Sequence, residues 1–195
     1  IYILDADSPE SIDENVINHR LIDISKQTQN FGHGVICEKY NTLCGWARGF
    51  IYGAIQAFLN DCDYVYIEQD LLIFGKKFIE NMFNLLYQEN KNIIYLDGDE
   101  TCQKLQQSFV VVKKDFLPNL IIKLINDSNH SRAEELKHYE LFKDDILWSP
   151  YKGGRQRKNL NKEFYCLQHM TVEEINEYQN NGKLFNHFNK KQVCL

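Results

Sequence analysis

Two carboxylates stand close together in Glu68-Gln69-Asp70, inside the stretch DYVYIEQDLLIF from Asp63 to Phe74. Tyr64 to Ile67 alternates as a half-buried strand does, and the acids close it. Charge beside a core is costly unless it is paired. The cluster therefore asks for a positive partner, which can be Lys, Arg or a metal ion, or else it is a plain solvated turn. Mg²⁺ and Mn²⁺ are commonly held by one or two carboxylates together with the phosphates of a substrate. Asp97-Gly98-Asp99 also follows an apolar strand, IIYL, but Asp-Gly is a strong hairpin signal, so it ranks second as a metal site.

Other residues could serve the same chemistry. Asp144-Asp145 in LFKDDILW and Glu134-Glu135 in SRAEELKHY are acidic pairs beside apolar helical residues. Either pair can supply a general base, and either can simply sit at a helix start, where acids suit the macrodipole. Arg155, Arg157 and Lys158 crowd the glycine-containing loop YKGGRQRKNLNKE, which suits a mobile grip on phosphate as well as it suits a solvated loop. His169 ends the strand-like run FYCLQHM.

Strands and helices alternate to position these groups. Ile1 to Leu4 reads as a short buried strand ending at DADSPE, where Ser8 and Pro9 start a helix. Leu21 to Ile24 is a second strand. Gly45 to Leu59 carries a broad helical stripe, with Gly49 and Gly53 on one face. Further strands are expected at 63–67, 93–96 and 109–112, and helices at 77–87, 117–125 and 172–178. Residues 132–148 read as mostly helical and charged. Repeated alternation predicts an α/β protein with a mainly parallel sheet, in a single domain over residues 1–195. In such sheets ligands bind beyond the carboxyl ends of strands, where DADS and EQD fall.

Bulk properties narrow the function. The net charge of −5 argues against a general nucleic-acid binder. No apolar run reaches the roughly 20 residues of a membrane span, and no leader is visible at the N-terminus. The six cysteines form no CxxC pair, and most have apolar neighbours. Reduced, packed thiols in a cytoplasmic protein are the expectation.

The run ILDADSPE … GWARGFIYGAI … DYVYIEQD resembles the front half of nucleotide-sugar glycosyltransferases of the GT-A fold, closest to the large inverting family 2. The order and spacing match over about residues 1–79, and QSFVVVKKDFL resembles a later family strand. The resemblance implies a Rossmann-like three-layer sandwich with a mostly parallel central sheet. It implies that Asp5 and Asp7 contact the nucleotide, that Arg48 fills an Ala-Arg position and that Gln69 reaches the ribose. Asp70 falls on the metal-binding Asp, while Glu68 stands where the family has the motif's first Asp. His169 would complete the shell of Mn²⁺ or Mg²⁺ or touch phosphate, and Arg155 and Arg157 would close over the diphosphate. The late acidic pair becomes the base, with Asp144-Asp145 preferred and Glu134-Glu135 the alternative. The family strand that precedes ILDADS has no counterpart here, so either the chain is a fragment or its first strand does double duty.

The expected activity is metal-dependent transfer of a sugar, with inversion, from a nucleoside-diphosphate sugar donor to the hydroxyl of a glycan or other acceptor. The alternative is a catalytically degenerate domain that binds nucleotide or a partner. A sugar-phosphate nucleotidyltransferase would need a glycine-rich basic loop after the first strand, and DADSPE is acidic.

Overall fold

In the computed structural model, residues 2–6, 23–27, 43–68, 70–97, 105–128, 132–150, 153–154 and 163–181 are described. In chain order they hold β1 (Tyr2–Ala6), β2 (Asp23–Gln27), α1 (Gly45–Leu59), β3 (Tyr64–Ile67), β4 (Leu71–Phe74) and α2 (Phe78–Gln88). β5 (Ile93–Asp97), β6 (Leu105–Val112), a 3₁₀ turn (Lys114–Phe116), α3 (Leu117–Asn126) and α4 (Glu134–Phe142) follow. The last are β7 (Ile146–Trp148), β8 (Gly153–Gly154), β9 (Tyr165–Gln168) and α5 (Val172–Asn181). The chain divides into two compact units, Ile1–Cys62 with Lys114–Glu134, and Asp63–Lys113 with Glu135–Leu195.

In the first unit β1 and β2 pair in parallel, from Tyr2 opposite Asp23 to Ala6 opposite Gln27. The helical stripe read from the sequence is the buried face of α1: Ala47, Phe50, Ile51 and Ala54. Cys44 caps this helix, its Sγ accepting the Ala47 N–H at 3.4 Å. α3 buries Leu117, Leu120 and Leu124 at helical spacing. At its approach Lys114 Nζ meets Asp61 Oδ1 at 3.0 Å, an exposed pair worth little.

The second unit is built on the four-stranded sheet β3-β6-β5-β7. β6 is buried at all eight positions, as a central strand covered on both faces must be. It runs antiparallel to both neighbours, β3 and β5, and only β5 and β7 pair in parallel. A mostly parallel central sheet, expected from the alternation and the resemblance, is therefore overturned: the fold is mixed α/β with a small, mostly antiparallel sheet. The reason lies in connection length. A parallel neighbour needs a crossover of about a dozen residues or more, and only residues 98–104 separate β5 from β6. The Asp-Gly hairpin signal at Asp97-Gly98 was the better guide to that junction.

Alternation decides what each face meets. Ile94 and Leu96 of β5 and Phe109 and Val111 of β6 pack with Phe78, Met82 and Leu86 of α2. On the other face of β5, Tyr95 Oη shares a short hydrogen bond with Nδ1 of His138 on α4, and both side chains are fully buried. Residues 132–148, expected to be mostly helical, instead break after Phe142 and enter β7. The break is a tight turn closed by the Asp145 N–H on the Phe142 carbonyl at 2.8 Å.

The remaining strands form the sheet β4-β9-β8, with β4 and β9 antiparallel and β8 and β9 parallel. Tyr165 and Leu167 face Leu72, Phe74 and Tyr178 of α5, while Cys166 points into the α2 cluster. Burial pushes the Cys166 thiol well above its ordinary pKa, so it packs as an inert apolar group. α5 opens with a reciprocal cap: Thr171 Oγ1 accepts the Glu174 N–H, and a Glu174 carboxylate oxygen accepts the Thr171 N–H at 2.8 Å.

Gly75 joins β4 to α2 at φ +134°, and a Cβ there would lie 2.4 Å from the Phe164 ring. Gly75→Ala should therefore strain both the turn and the start of β9, lowering stability by about 1–3 kcal/mol in chemical denaturation. The buried His138 gives a second expectation. Burial, with Lys137 adding to it, lowers its pKa from 6.5 to about 3. Between those values the unfolded chain binds a proton that the folded chain refuses, so this contribution is complete above about 6.5 and is lost as pH falls toward about 3. His138→Gln should flatten that acid-side loss, read as a smaller drop in the urea midpoint on acidification; an unchanged slope would place the loss elsewhere.

Candidate functional site

β3, β5 and β7 all run one way, so their carboxyl ends share one edge of the sheet with the start of β6. That edge carries Glu68, directly after β3, and Asp97, the last residue of β5. Glu68 donates its N–H to the Ser108 carbonyl at 2.9 Å, and its own carbonyl accepts the Leu71 N–H at 3.1 Å. The second bond turns the chain from β3 into β4 and carries it from one sheet to the other.

The β4–β9 ladder then brings in residues far away in sequence. Leu71 stands opposite Gln168, so the end of β9 lies beside the Glu68–Asp70 turn. The Gln168 amide nitrogen donates to Glu68 Oε2 in a short hydrogen bond and to Asp70 Oδ1 at 3.2 Å. His169 Nδ1 lies 3.1 Å from Asp70 Oδ2, an ion pair only while the imidazole is protonated. His169 has φ 53°, the left-handed region, where a side chain other than glycine costs energy. That backbone ends the strand and turns the imidazole back toward Asp70. Glu68, Asp70 and His169, the residues expected at a metal, are thus gathered in one place.

Behind them β6 is irregular. Its register against β5 jumps from Tyr95 opposite Val110 to Leu96 opposite Gln106, leaving Gln107, Ser108 and Phe109 without partners on β5. Bulges of this kind re-aim side chains and recur next to sites. Ser108 and Gln107 are 2% and 8% exposed, and Ser108 Oγ and Gln107 Nε2 have no hydrogen-bond partner among the described residues. The Ser108 carbonyl accepts the Glu68 N–H, so the two residues are backbone neighbours just beyond the β3–β6 ladder. A buried hydroxyl left without a partner costs about 1–3 kcal/mol, which a bound polar group would recover.

Two carboxylates and an imidazole nitrogen are the donor types that hold Mn²⁺ or, less readily, Mg²⁺. Among the described residues no three His, Cys, Asp or Glu side chains already converge as a ligand set. The Gln168 amide stands between the two acids instead. The residues match a divalent ion in donor type only, and the Gln168 amide bonds to both acids.

The other expected residues fall differently. Asp144 and Asp145 lie at the opposite end of the sheet, beside the starts of β5 and β7. The Asp145 carboxylate accepts from Asn92 Nδ2 at 2.7 Å, its carbonyl accepts the Asn92 N–H at 3.1 Å, and the Asp144 carbonyl accepts from Lys91 Nζ at 2.7 Å. The pair ties the turn to β5, and the length of the sheet separates it from Glu68 and Asp70. The alternative acid Glu135 is placed otherwise. α4 returns to β7 through that tight turn, and His138 meets Tyr95 while Tyr139 stacks on Trp148. Glu135, one turn earlier on α4, therefore lies toward the edge that carries Glu68.

Arg48 is exposed on α1 of the other unit, and Asp5 is the fourth residue of β1. Asp7, Gln69, Arg155 and Arg157 lie outside the described residues, as do Gly98 and Asp99. Gly154, immediately before Arg155, pairs with Leu167 of β9. Sequence reading missed Gln168 as a participant. The signal was a lone amide directly after the apolar run FYCL, where an unbonded polar group would be costly.

Comparison of the chain with protein-family models, with curated proteins and with solved structures gave no match in any of the three.

The backbone at His169 yields a test of placement. His169→Asn, which tolerates the left-handed region, should keep the melting temperature. His169→Val should cost about 1–3 kcal/mol in denaturant unfolding, because a β-branched side chain is an outlier there. Equal stability of the two variants would mean that the conformation is not imposed.

Proposed function

We propose that the chain is a divalent-metal-dependent glycosyltransferase, moving a sugar from a nucleoside-diphosphate sugar to an acceptor hydroxyl. The observation that supports this reading is that the Gln168 amide joins Glu68 to Asp70 while His169 pairs with Asp70. His169 is distant from the two acids in sequence, the three are residues the motif resemblance selects, and a buried bulge with an unpartnered hydroxyl lies alongside. The resemblance is one of motifs, and the reading does not rest on the sheet it once implied.

Asp70, Glu68 and His169 would hold Mn²⁺ or Mg²⁺, whose chemistry is to neutralise the diphosphate leaving group. Arg155 and Arg157, which follow Gly154 in the sequence, are residue types that suit phosphate oxygens. The motif resemblance alone gives Asp5, Asp7, Arg48 and Gln69 to the donor's nucleotide end.

In the transfer a bond forms between the acceptor oxygen and the anomeric carbon as the bond from that carbon to phosphate breaks. The acceptor's proton passes to a carboxylate, and the nucleoside diphosphate leaves. Glu135 is the base this reading prefers, because Asp145 is engaged with Asn92 at the far end of the sheet. Among the described residues no helix is long and apolar enough to cross a membrane. We take the protein to act in the cytoplasm, in keeping with Cys44 and Cys166 as buried thiols outside any disulfide.

A panel of nucleotide sugars with Mn²⁺, scored for binding and for slow donor hydrolysis, tests this. Asp70→Ala should lower ion-dependent hydrolysis about a hundredfold or more. Glu135→Gln should lower transfer to an acceptor by about 10²–10⁴ while leaving donor affinity alone. Asp145→Asn should change transfer little and cost about 1 kcal/mol of stability. Donor binding without any turnover would instead favour a nucleotide-binding module, and no binding of any donor would end the reading.

A further inference from the structure

Between α4 and β7 stands a pair of aromatic rings that the transfer chemistry above does not use. Trp148 is the last residue of β7, at the carboxyl edge of the main sheet, and is 37% exposed. The parallel ladder sets Trp148 opposite Tyr95 and Leu147 opposite Ile94. Leu147 packs with Ile94 in the α2 cluster, so alternation puts Trp148 on the other face, where His138 of α4 meets Tyr95. There the rings of Tyr139 and Trp148 are inclined by only 25°, with centroids 6.4 Å apart. The closed stacks Trp46–Phe50 and Phe74–Tyr165 stand at 4.8 and 4.9 Å. Near-parallel rings at the wider distance are slipped or parted, so Tyr139 leaves much of the indole face uncovered.

We propose that the open face of Trp148 binds the acceptor, and that the acceptor is a neutral sugar whose ring lies flat on the indole. The acceptor role rests on the transferase reading given above; the ring contact is tested apart from it. One face of a sugar ring carries C–H groups and its rim carries hydroxyls. An indole covers the first, while carboxylates nearby accept hydrogen bonds from the second. Glu135 and Tyr139 are four residues apart on α4, which puts them on one side of the helix. Glu135 is the one nearer the carboxyl edge, because α4 reaches the start of β7 through the turn after Phe142. A ring stacked on Trp148 therefore has a carboxylate just past it, the placement that transfer to one of its hydroxyls needs. Leu136, 44% exposed and three residues before Tyr139, adds apolar surface on that side.

Charge and size select this occupant. From Glu135 to Phe142 the charges that reach solvent are the acids Glu135 and Glu140, and Lys137 is buried. Such a surface disfavours a ligand that carries phosphate. Organic cations are held by ring faces that converge from several directions, and two near-parallel rings do not converge. A stable protein partner needs about 800 Å² on each side, far more than one indole and one leucine side chain offer. A flat, neutral, hydroxylated ring meets all three limits.

The chain has two tryptophans, Trp46 and Trp148, so two indole N–H signals report on binding in NMR spectra of the full chain, with Trp148→Phe assigning them. Cellobiose, maltose and lactose are titrated in turn, with uridine and choline as rivals. At least one disaccharide should move the Trp148 signal at millimolar concentration and leave that of Trp46 in place. Trp148→Ala should weaken that disaccharide about tenfold. Tyr87→Ala, which removes an exposed ring on α2, should not weaken it. In transfer from a nucleotide sugar to the same disaccharide, Trp148→Ala should raise the acceptor KM by more than the donor KM. No shift with any of the three disaccharides overturns the proposal, and so does a Trp148 shift caused by uridine or choline alone. If nucleotide sugars are still cleaved in either case, the transferase reading survives that failure. If a disaccharide binds at Trp148 while no nucleotide sugar binds anywhere, the transferase reading and the acceptor role fall, and the sugar contact stands. Should Trp148→Ala not fold, the wild-type indole signal decides by the same criteria.

Discussion

The antiparallel ladder between Leu71–Phe74 and Tyr165–Gln168 is the constraint on which the candidate site depends. Strand pairing has a period of two, so a slip of one residue would turn Gln168 away from the core face and exchange it for Leu167. The register is held from both faces. Leu72, Phe74, Tyr165 and Leu167 pack under α5, while Cys166 enters the α2 cluster. It is held at its ends as well, by Gly75 against Phe164 and by the Thr171–Glu174 cap. A chemical cluster drawn from two distant stretches of chain is thereby fixed by apolar packing, not by its own weak polar contacts.

The main sheet supplies the other half of the geometry. β6 is central, buried and antiparallel to its neighbours, which puts its polar beginning at the edge where β3 and β5 end. A regular strand there would bury Gln107 and Ser108 against β5. The bulge removes them from that ladder while the bond from Glu68 to Ser108 keeps them on β3. On the opposite face, the buried contact of Tyr95 with His138 sets the height of α4 along β5. That height sorts the two acidic pairs: Glu135 rises toward the polar edge, and Asp144-Asp145 is pinned at the far one.

Much of this was legible locally. The stripe in α1, the strands 64–67 and 93–97, and the helices α2, α3 and α5 follow from periodicities that packing preserved. Glu68 and Asp70 could be picked out as acids ending an apolar strand, while His169 was joined to them only by the motif resemblance. Sheet direction was not legible, because alternation of strands and helices is blind to which strand pairs with which. Leu71–Phe74 and Ile146–Trp148 were too short to announce themselves as strands, and the acids at 144–145 looked like a helix start because nothing in LFKDDILW marks the turn.

What the sequence by itself determined is the inventory: an acidic protein of alternating elements, with carboxylates at strand ends, a basic glycine loop and a late histidine. These are consequences of side-chain chemistry and of near-neighbour spacing, which need no partner to be read. Tertiary structure alone decided that Gln168 lies between Glu68 and Asp70, that β6 runs against its neighbours, and that Asp145 answers to Asn92. Each is a contact between residues remote in the chain, chosen because buried polar groups must find partners and apolar faces must close over one another. Those demands are met globally, by whichever pairing buries the most surface, and no local pattern records the outcome.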